Sequence, residues 1–192
     1  SYLTAYPAGQ TAPLASNLNF LAGQTVPNLV VVPVGANGQI SIFNNAGTTN
    51  VIADVVGFFA PAPPAASNGG FVGMTPSRIL DTRDGTGGTS TKLGPGQSLS
   101  FKVTGVGGLN GVPSSGVSAV VLNITVTGPT APAFLTVWPT GVPMPTASNL
   151  NFVAGQTVPN LVMARVGSDG TVSVFNNAGS VDVIADVVGW YS

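Results

Sequence analysis

Few side chains in this sequence could do chemistry. It carries six acidic and five basic side chains in 192 residues, with no histidine and no cysteine. The common neutral-pH acid–base group, the thiolate nucleophile, disulfides and the preferred zinc ligands are therefore absent. A serine or threonine nucleophile would have only Lys92 or Lys102 as base, and neither lies in a Ser-x-x-Lys pattern. A carboxylate pair for glycoside hydrolysis could be drawn from Asp81, Asp84 and Asp186, but nothing in the sequence points to such a pair. The expectation is a protein without catalytic activity and without a cofactor.

The densest polar stretch is Arg78-Ile-Leu-Asp-Thr-Arg-Asp-Gly-Thr-Gly-Gly88, and the chemistry available there is ion pairing. Asp186 and its repeat equivalent Asp54 lie inside the apolar run Val-Ile-Ala-Asp-Val-Val-Gly. Strand alternation puts Ile184, Asp186, Val188 and Trp190 on one face, and Val183, Ala185, Val187 and Tyr191 on the other. With both faces apolar, Asp186 is expected inside a layered structure, where an unpaired carboxylate would cost several kcal/mol. Arg78 and Arg83 are the natural donors, and a bidentate pair would lock their segment onto the sheet. No Arg or Lys precedes Arg78, so Asp54 needs an arginine from the neighbouring module or another chain, or else backbone amides. Asp81, Asp84 and the Gly85–Gly88 turn bear a faint likeness to a calcium loop without its spacing. The alternative is a solvated turn bridged by Arg83.

Aromatic residues recur in pairs: Tyr6 with Trp138, Phe20 with Phe152, Phe58 with Trp190, Phe59 with Tyr191. Trp138, near Asn149 and Asn151, is the best candidate for a sugar-stacking platform, with Tyr6, Asn17 and Asn19 its counterparts. The competing expectation is that the rings fill the core. The asparagines alternate with Leu and Phe and so share one face, either solvent or a polar ladder.

The elements that must position these groups come from a duplication. Residues 2–60 align with 134–192 at a constant offset, without a gap, in 36 identities over 59 pairs. Residues 1–60 predict five short strands, near 2–6, 16–20, 26–34, 39–43 and 50–59, separated by Gly- and Asn-rich turns. Residues 61–70 predict a Pro/Ala/Gly linker. Strands are expected at 71–80, 97–104 and 116–127, before the repeated half returns. The Gly105–Gly111 run lacks the Lys-Ser/Thr and helix of a phosphate cradle. The fold expected is all-β: an antiparallel sandwich or jelly-roll-like module over 71–192, preceded by a homologous half-module over 1–60. Lacking a counterpart of 71–132, that half is expected to be completed by the other module, another chain or residues outside this sequence.

The motifs Thr75–Gly85 (TPSRILDTRDG), SNLNF…GQTVPNLV and VDVIADVVGWY together resemble a β-rich repeat module of secreted and cell-surface proteins from actinobacteria and other Gram-positive-type bacteria. There it stands alone, in tandem or beside hydrolase domains. The resemblance implies export and a binding or structural accessory role; the departure is the missing first half of the first unit. Charged residues are 6% and net charge is −1, which leaves no patch for nucleic acid. No apolar run approaches the 18 residues of a membrane span. The sequence opens within a repeat, and a leader ahead of Ser1 is expected to have been removed. Two functions are expected: adhesion to cell-wall or other polysaccharide, or a subunit of an extracellular fibre or surface layer that engages copies of itself as a homo-oligomer. Ice binding is a distant third, since the threonines form no regular ladder.

Overall fold

A computed structural model describes residues 1–14, 16–59, 69–108 and 111–192. It is an all-β chain with antiparallel pairing throughout. Two compact units are present, Ser1–Asp54 and Val55–Ser192. Most of the linker expected at 61–70 lies outside the described residues.

The second unit is a sandwich of two four-stranded sheets. Its strands are β4 (Phe71–Asp81), β5 (Gln97–Lys102), β6 (Ala119–Thr127), β7 (Ala133–Pro139), β8 (Leu150–Phe152), β9 (Val158–Arg165), β10 (Thr171–Asn176) and β11 (Asp182–Tyr191). One sheet runs β5-β10-β7-β8 and the other β4-β11-β6-β9. Beyond β7 and β8 the chain passes between sheets at each connection. The alternating Val, Leu and Ile of all these strands meet in one core, in which Leu80, Leu122, Ile124, Leu135, Leu150 and Val174 are fully buried.

The two sequence halves are interleaved in this sandwich. The later, repeated half supplies β7 to β11, yet β9 and β11 do not pair with each other. Strand β6 lies between them, in register Val126↔Val183 on one side and Val126↔Val158 on the other. Strand β4 covers the far edge of β11, and β5 the far edge of β10.

Two irregularities set the side-chain directions on β11. Ala185 faces Leu80 and Asp186 faces Arg78, so Ile79 is the extra residue of a bulge in β4. Opposite β6, Val187 faces Leu122 and Gly189 faces Val121, which makes Val188 an extra residue in β11. The second bulge corrects the alternation expected from sequence. Beyond Val188 the faces exchange, so Trp190 packs against the core with Val183, Ala185 and Val187. Tyr191 instead meets Phe71, ring centroids 5.2 Å apart. The Phe71 ring covers Gly189, where a Cβ would come within 2.5 Å of it.

The first unit is a three-stranded sheet, β2-β1-β3, of β1 (Tyr2–Pro7), β2 (Leu18–Asn19) and β3 (Ile40–Asn44). Its register copies that of β8-β7-β10. Leu3↔Leu18 and Leu3↔Asn44 repeat Leu135↔Leu150 and Leu135↔Asn176. Even the ring contact Phe134–Phe175 recurs as Tyr2–Phe43. The strands expected at 26–34 and 50–59 do not form. Their counterparts β9 and β11 are held by β6 and β4, and residues 1–54 contain no equivalent of either. β-Propensity alone does not make a strand without a ladder to join.

One local difference between the copies gives a test. In the first, Ser1 Oγ donates to Asn44 Oδ1 at 3.0 Å. In the second, Asn176 is buried and its Nδ2 holds the carbonyls of Leu93, Gly94 and Gly179, but its Oδ1 has no partner among the described residues. The residue equivalent to Ser1 is Ala133. Ala133→Ser should supply the missing hydroxyl and add about 1 kcal/mol, raising Tm by roughly 2–5 °C in a calorimetric scan.

Candidate functional site

Four charged residues of the second unit, Arg78, Asp81, Arg83 and Asp186, converge at the end of β4. Strand pairing sets Asp186 opposite Arg78. Arg78 Nε donates to Asp186 Oδ1 at 2.9 Å and Nη2 to Oδ2 at 3.4 Å, the forked contact expected from sequence. Arg78 Nη1 also reaches Asp81 Oδ2, at 3.1 Å. Arg83 does not join Asp186. It turns back onto Asp81, with Nη2 donating to Oδ2 at 2.7 Å, and Nε and the backbone N–H to Oδ1 at 2.9 and 3.0 Å.

Burial is the reverse of that expected for the two aspartates. The Asp81 side chain is wholly buried and that of Asp186 partly exposed. The Ile79 bulge and the turn after Asp81 draw Asp81 under the two guanidinium groups. Gly87 makes room for this turn: its φ is +83°, and a Cβ there would lie 2.5 Å from the Ile79 carbonyl. The hydrogen bonds from Arg83 hold the Asp81 carboxyl at about 2, against the pull of its desolvation. Hydrogen bonding to Asp186 in turn raises Arg78.

A second pair, not foreseen from sequence, lies alongside. Lys92 Nζ donates to Asp182 Oδ2, while Asp182 Oδ1 accepts from Thr82 Oγ1 at 3.1 Å. Thr82 Oγ1 accepts from the Val183 N–H at 3.0 Å. Asp182 stands where the first copy has Asn50, and that difference was the available signal.

The calcium expectation at Asp81 and Asp84 meets a different arrangement. Both Asp81 oxygens are taken by guanidinium groups, and Asp84 Oδ1 closes a turn by accepting from the Thr86 N–H at 2.9 Å. Among the described residues, no group of three or more acidic, His or Cys side chains could hold a metal ion.

The sugar platform is corrected. Trp138 is buried rather than exposed, and its Nε1 donates to the Val142 carbonyl at 3.2 Å. Asn149 Oδ1 accepts from the Val137 N–H at 2.6 Å and Asn17 Oδ1 from the Ala5 N–H at 2.6 Å. Asn151 and Asn19 each donate to a serine hydroxyl, Ser148 and Ser16, at 3.3 Å. The Asn149 and Asn17 amides tie the connection before β8 or β2 to the neighbouring strand, and Asn151 and Asn19 brace the same connection locally, a structural use repeated in both copies. Tyr6 is half-buried on β1. Phe58 and Phe59 are exposed, whereas Trp190, the counterpart of Phe58, packs on the core. Asp54 is exposed and takes part in none of the four ion pairs among the described residues.

No family model matches the chain, and no curated protein is significantly similar to it.

Asp81 should control both acid and mutational stability. Its folded-state value lies below its ordinary one, so the stabilisation is present above about pH 4 and lost as pH falls toward 2. Screening at the half-exposed arginines reduces the amount to about 1–2 kcal/mol, measurable as a fall in Tm between pH 4.5 and 2.5. Removing both donors in Arg78→Gln/Arg83→Gln strands a buried carboxylate and should cost about 3–5 kcal/mol. Adding Asp81→Asn to that variant should recover more than half of the loss in urea denaturation.

Proposed function

We propose that this chain is a non-catalytic structural module of an extracellular surface assembly. Its complete sandwich is a rigid block, and its first unit is a joint completed by strands from outside that unit. One observation carries this reading. Val172, Val174 and Val183 are fully buried in the second unit, whereas the equivalent Ile40, Ile42 and Val51 are 44%, 43% and 47% exposed. Nearly the same sequence is thus core in one copy and surface in the other, and exposed apolar strand edges are the substrate of β-strand addition. The scarcity of charge, the committed carboxylates and the absence of His and Cys support a role without catalysis. Export rests on the resemblance of the repeat to modules of cell-surface proteins.

Hydrogen exchange on the free chain tests the joint. Amides of 26–34 and 50–59 should exchange far faster than those of β9 and β11, and the chain should bind an apolar-surface dye. Equal protection of both copies would overturn the reading.

Adhesion to polysaccharide is the second reading, and a different surface from Trp138 favours it. Phe71, Tyr191 and Phe59 form a ring cluster with centroids 5.2 and 6.1 Å apart, and Phe71 and Phe59 are exposed by 53% and 67%. Exposed aromatic rings present stacking faces. Retention on insoluble cell-wall polysaccharide that drops at least tenfold in Phe71→Ala would support it. Retention unchanged in that variant, or absent in the wild type, would exclude this platform.

A further inference from the structure

The joint reading leaves open what completes the first unit, and the following rests on that reading. We infer that its occupant is a segment of the β4–β6 kind, supplied from outside these 192 residues and anchored to Asp54 by an arginine equivalent to Arg78.

The shape of the occupant follows from register. Every strand that the sandwich sets against β9, β10 and β11 from outside the repeated half belongs to β4, β5 or β6. Transferred by the constant offset between copies, a β6-like strand would enter between residues 26–33 and 50–59. A β4-like strand would cover the far side of 50–59, and a β5-like strand would pair with β3. The existing sheet needs no rearrangement to receive them, because β2-β1-β3 already has the register of β8-β7-β10.

Charge indicates the same occupant. Asp54 is the single charged side chain among the first 77 residues. It holds the place of Asp186, which lies between Arg78 on β4 and Asn123 on β6. A lone carboxylate inside an apolar strand is costly to bury without a cation, and a forked arginine removes that cost. Apolar strands lacking the arginine would therefore be disfavoured, which makes Asp54 a selectivity device as well as an anchor.

Counting excludes a second copy of these 192 residues as the source. These residues hold two versions of the repeated half and one set of β4–β6, and that set is already engaged by β9, β10 and β11. Exchange between copies leaves one repeated half uncovered per chain in any assembly. The occupant must be an additional β4–β6 segment.

The test adds a polypeptide of residues 69–132 to the full chain, refolded together by dilution from urea. The expected result is a one-to-one complex by light scattering, with amides of 26–34 and 50–59 becoming as protected as those of β9 and β11. Asp54→Ala, at an exposed position, should weaken the complex about 10- to 100-fold. When the added polypeptide carries Arg78→Ala, Asp54→Ala should have no further effect. A second arm fuses residues 69–132 ahead of Ser1 of the full chain, so that association cannot limit the outcome.

Protection in the fused chain, with or without capture of the free polypeptide, would support this occupant. Protection in neither, with the amides of the free chain exchanging fast, would overturn this occupant and leave the joint reading standing. A dimer of the chain alone that protects the first unit would also overturn it. Slow exchange in the free chain would overturn both.

Discussion

Strand β6 is the constraint on which the structure depends. Strands β9 and β11, both from the repeated half, never meet as a ladder, because β6 stands between them and hydrogen-bonds to each. The other sheet is less demanding, since β8, β7 and β10 pair directly and need β5 only at one edge. This asymmetry explains why the two copies differ. A sheet whose pairing is internal to the repeat forms wherever the repeat occurs, whereas a sheet that needs a strand from elsewhere forms only where that strand is present. The first unit accordingly keeps one layer of the sandwich and leaves the residues of the other without regular structure.

The polar side chains follow the same division. The amides of Asn17 and Asn149 make bonds within the repeat and are identical in the two copies. The carboxylates bond across the halves: Asp186 reaches Arg78, and Asp182 reaches Thr82 and Lys92. Asp81 acts as the hub, with a buried carboxylate bridging two arginines that both come from its own strand and turn. In the first unit Asp54 is exposed and solvated, so its charge costs nothing there and would penalise only burial under an apolar strand that lacks a cation.

Much of this was legible in the sequence. The duplication, the all-β class and the strands at 71–80, 97–104 and 116–127 follow from alternation and turn residues, which are local signals. The Arg78–Asp186 pair was reachable because an apolar strand containing one carboxylate demands a cation. Other features were hidden for physical reasons. The Val188 bulge shifts the alternation by one residue and sends Trp190 inward, and nothing in the local composition of Val-Val-Gly-Trp announces it. Trp138 reads equally well as platform or core, because ring type does not encode which face of a strand is covered. The failure of 26–34 and 50–59 to form strands is non-local: their residues are nearly those of β9 and β11, and the difference lies entirely in what pairs with them.

The placement of β11 also has a consequence for how the sandwich comes to exist. Strand β4 opens the second unit and pairs along β11, which closes it, so that Phe71 faces Tyr191 in the ladder. That contact spans nearly the whole unit, and β6 likewise waits for β9 and β11. Loops this long are closed late and at an entropic cost, and folds dominated by such pairings are slow to form. On a growing or threading chain, β4, β5 and β6 would emerge with their apolar faces unpaired, and this sheet could not close until the final strand had followed. The arrangement that makes the finished block cohesive therefore also delays closure of this sheet until β11 is in place.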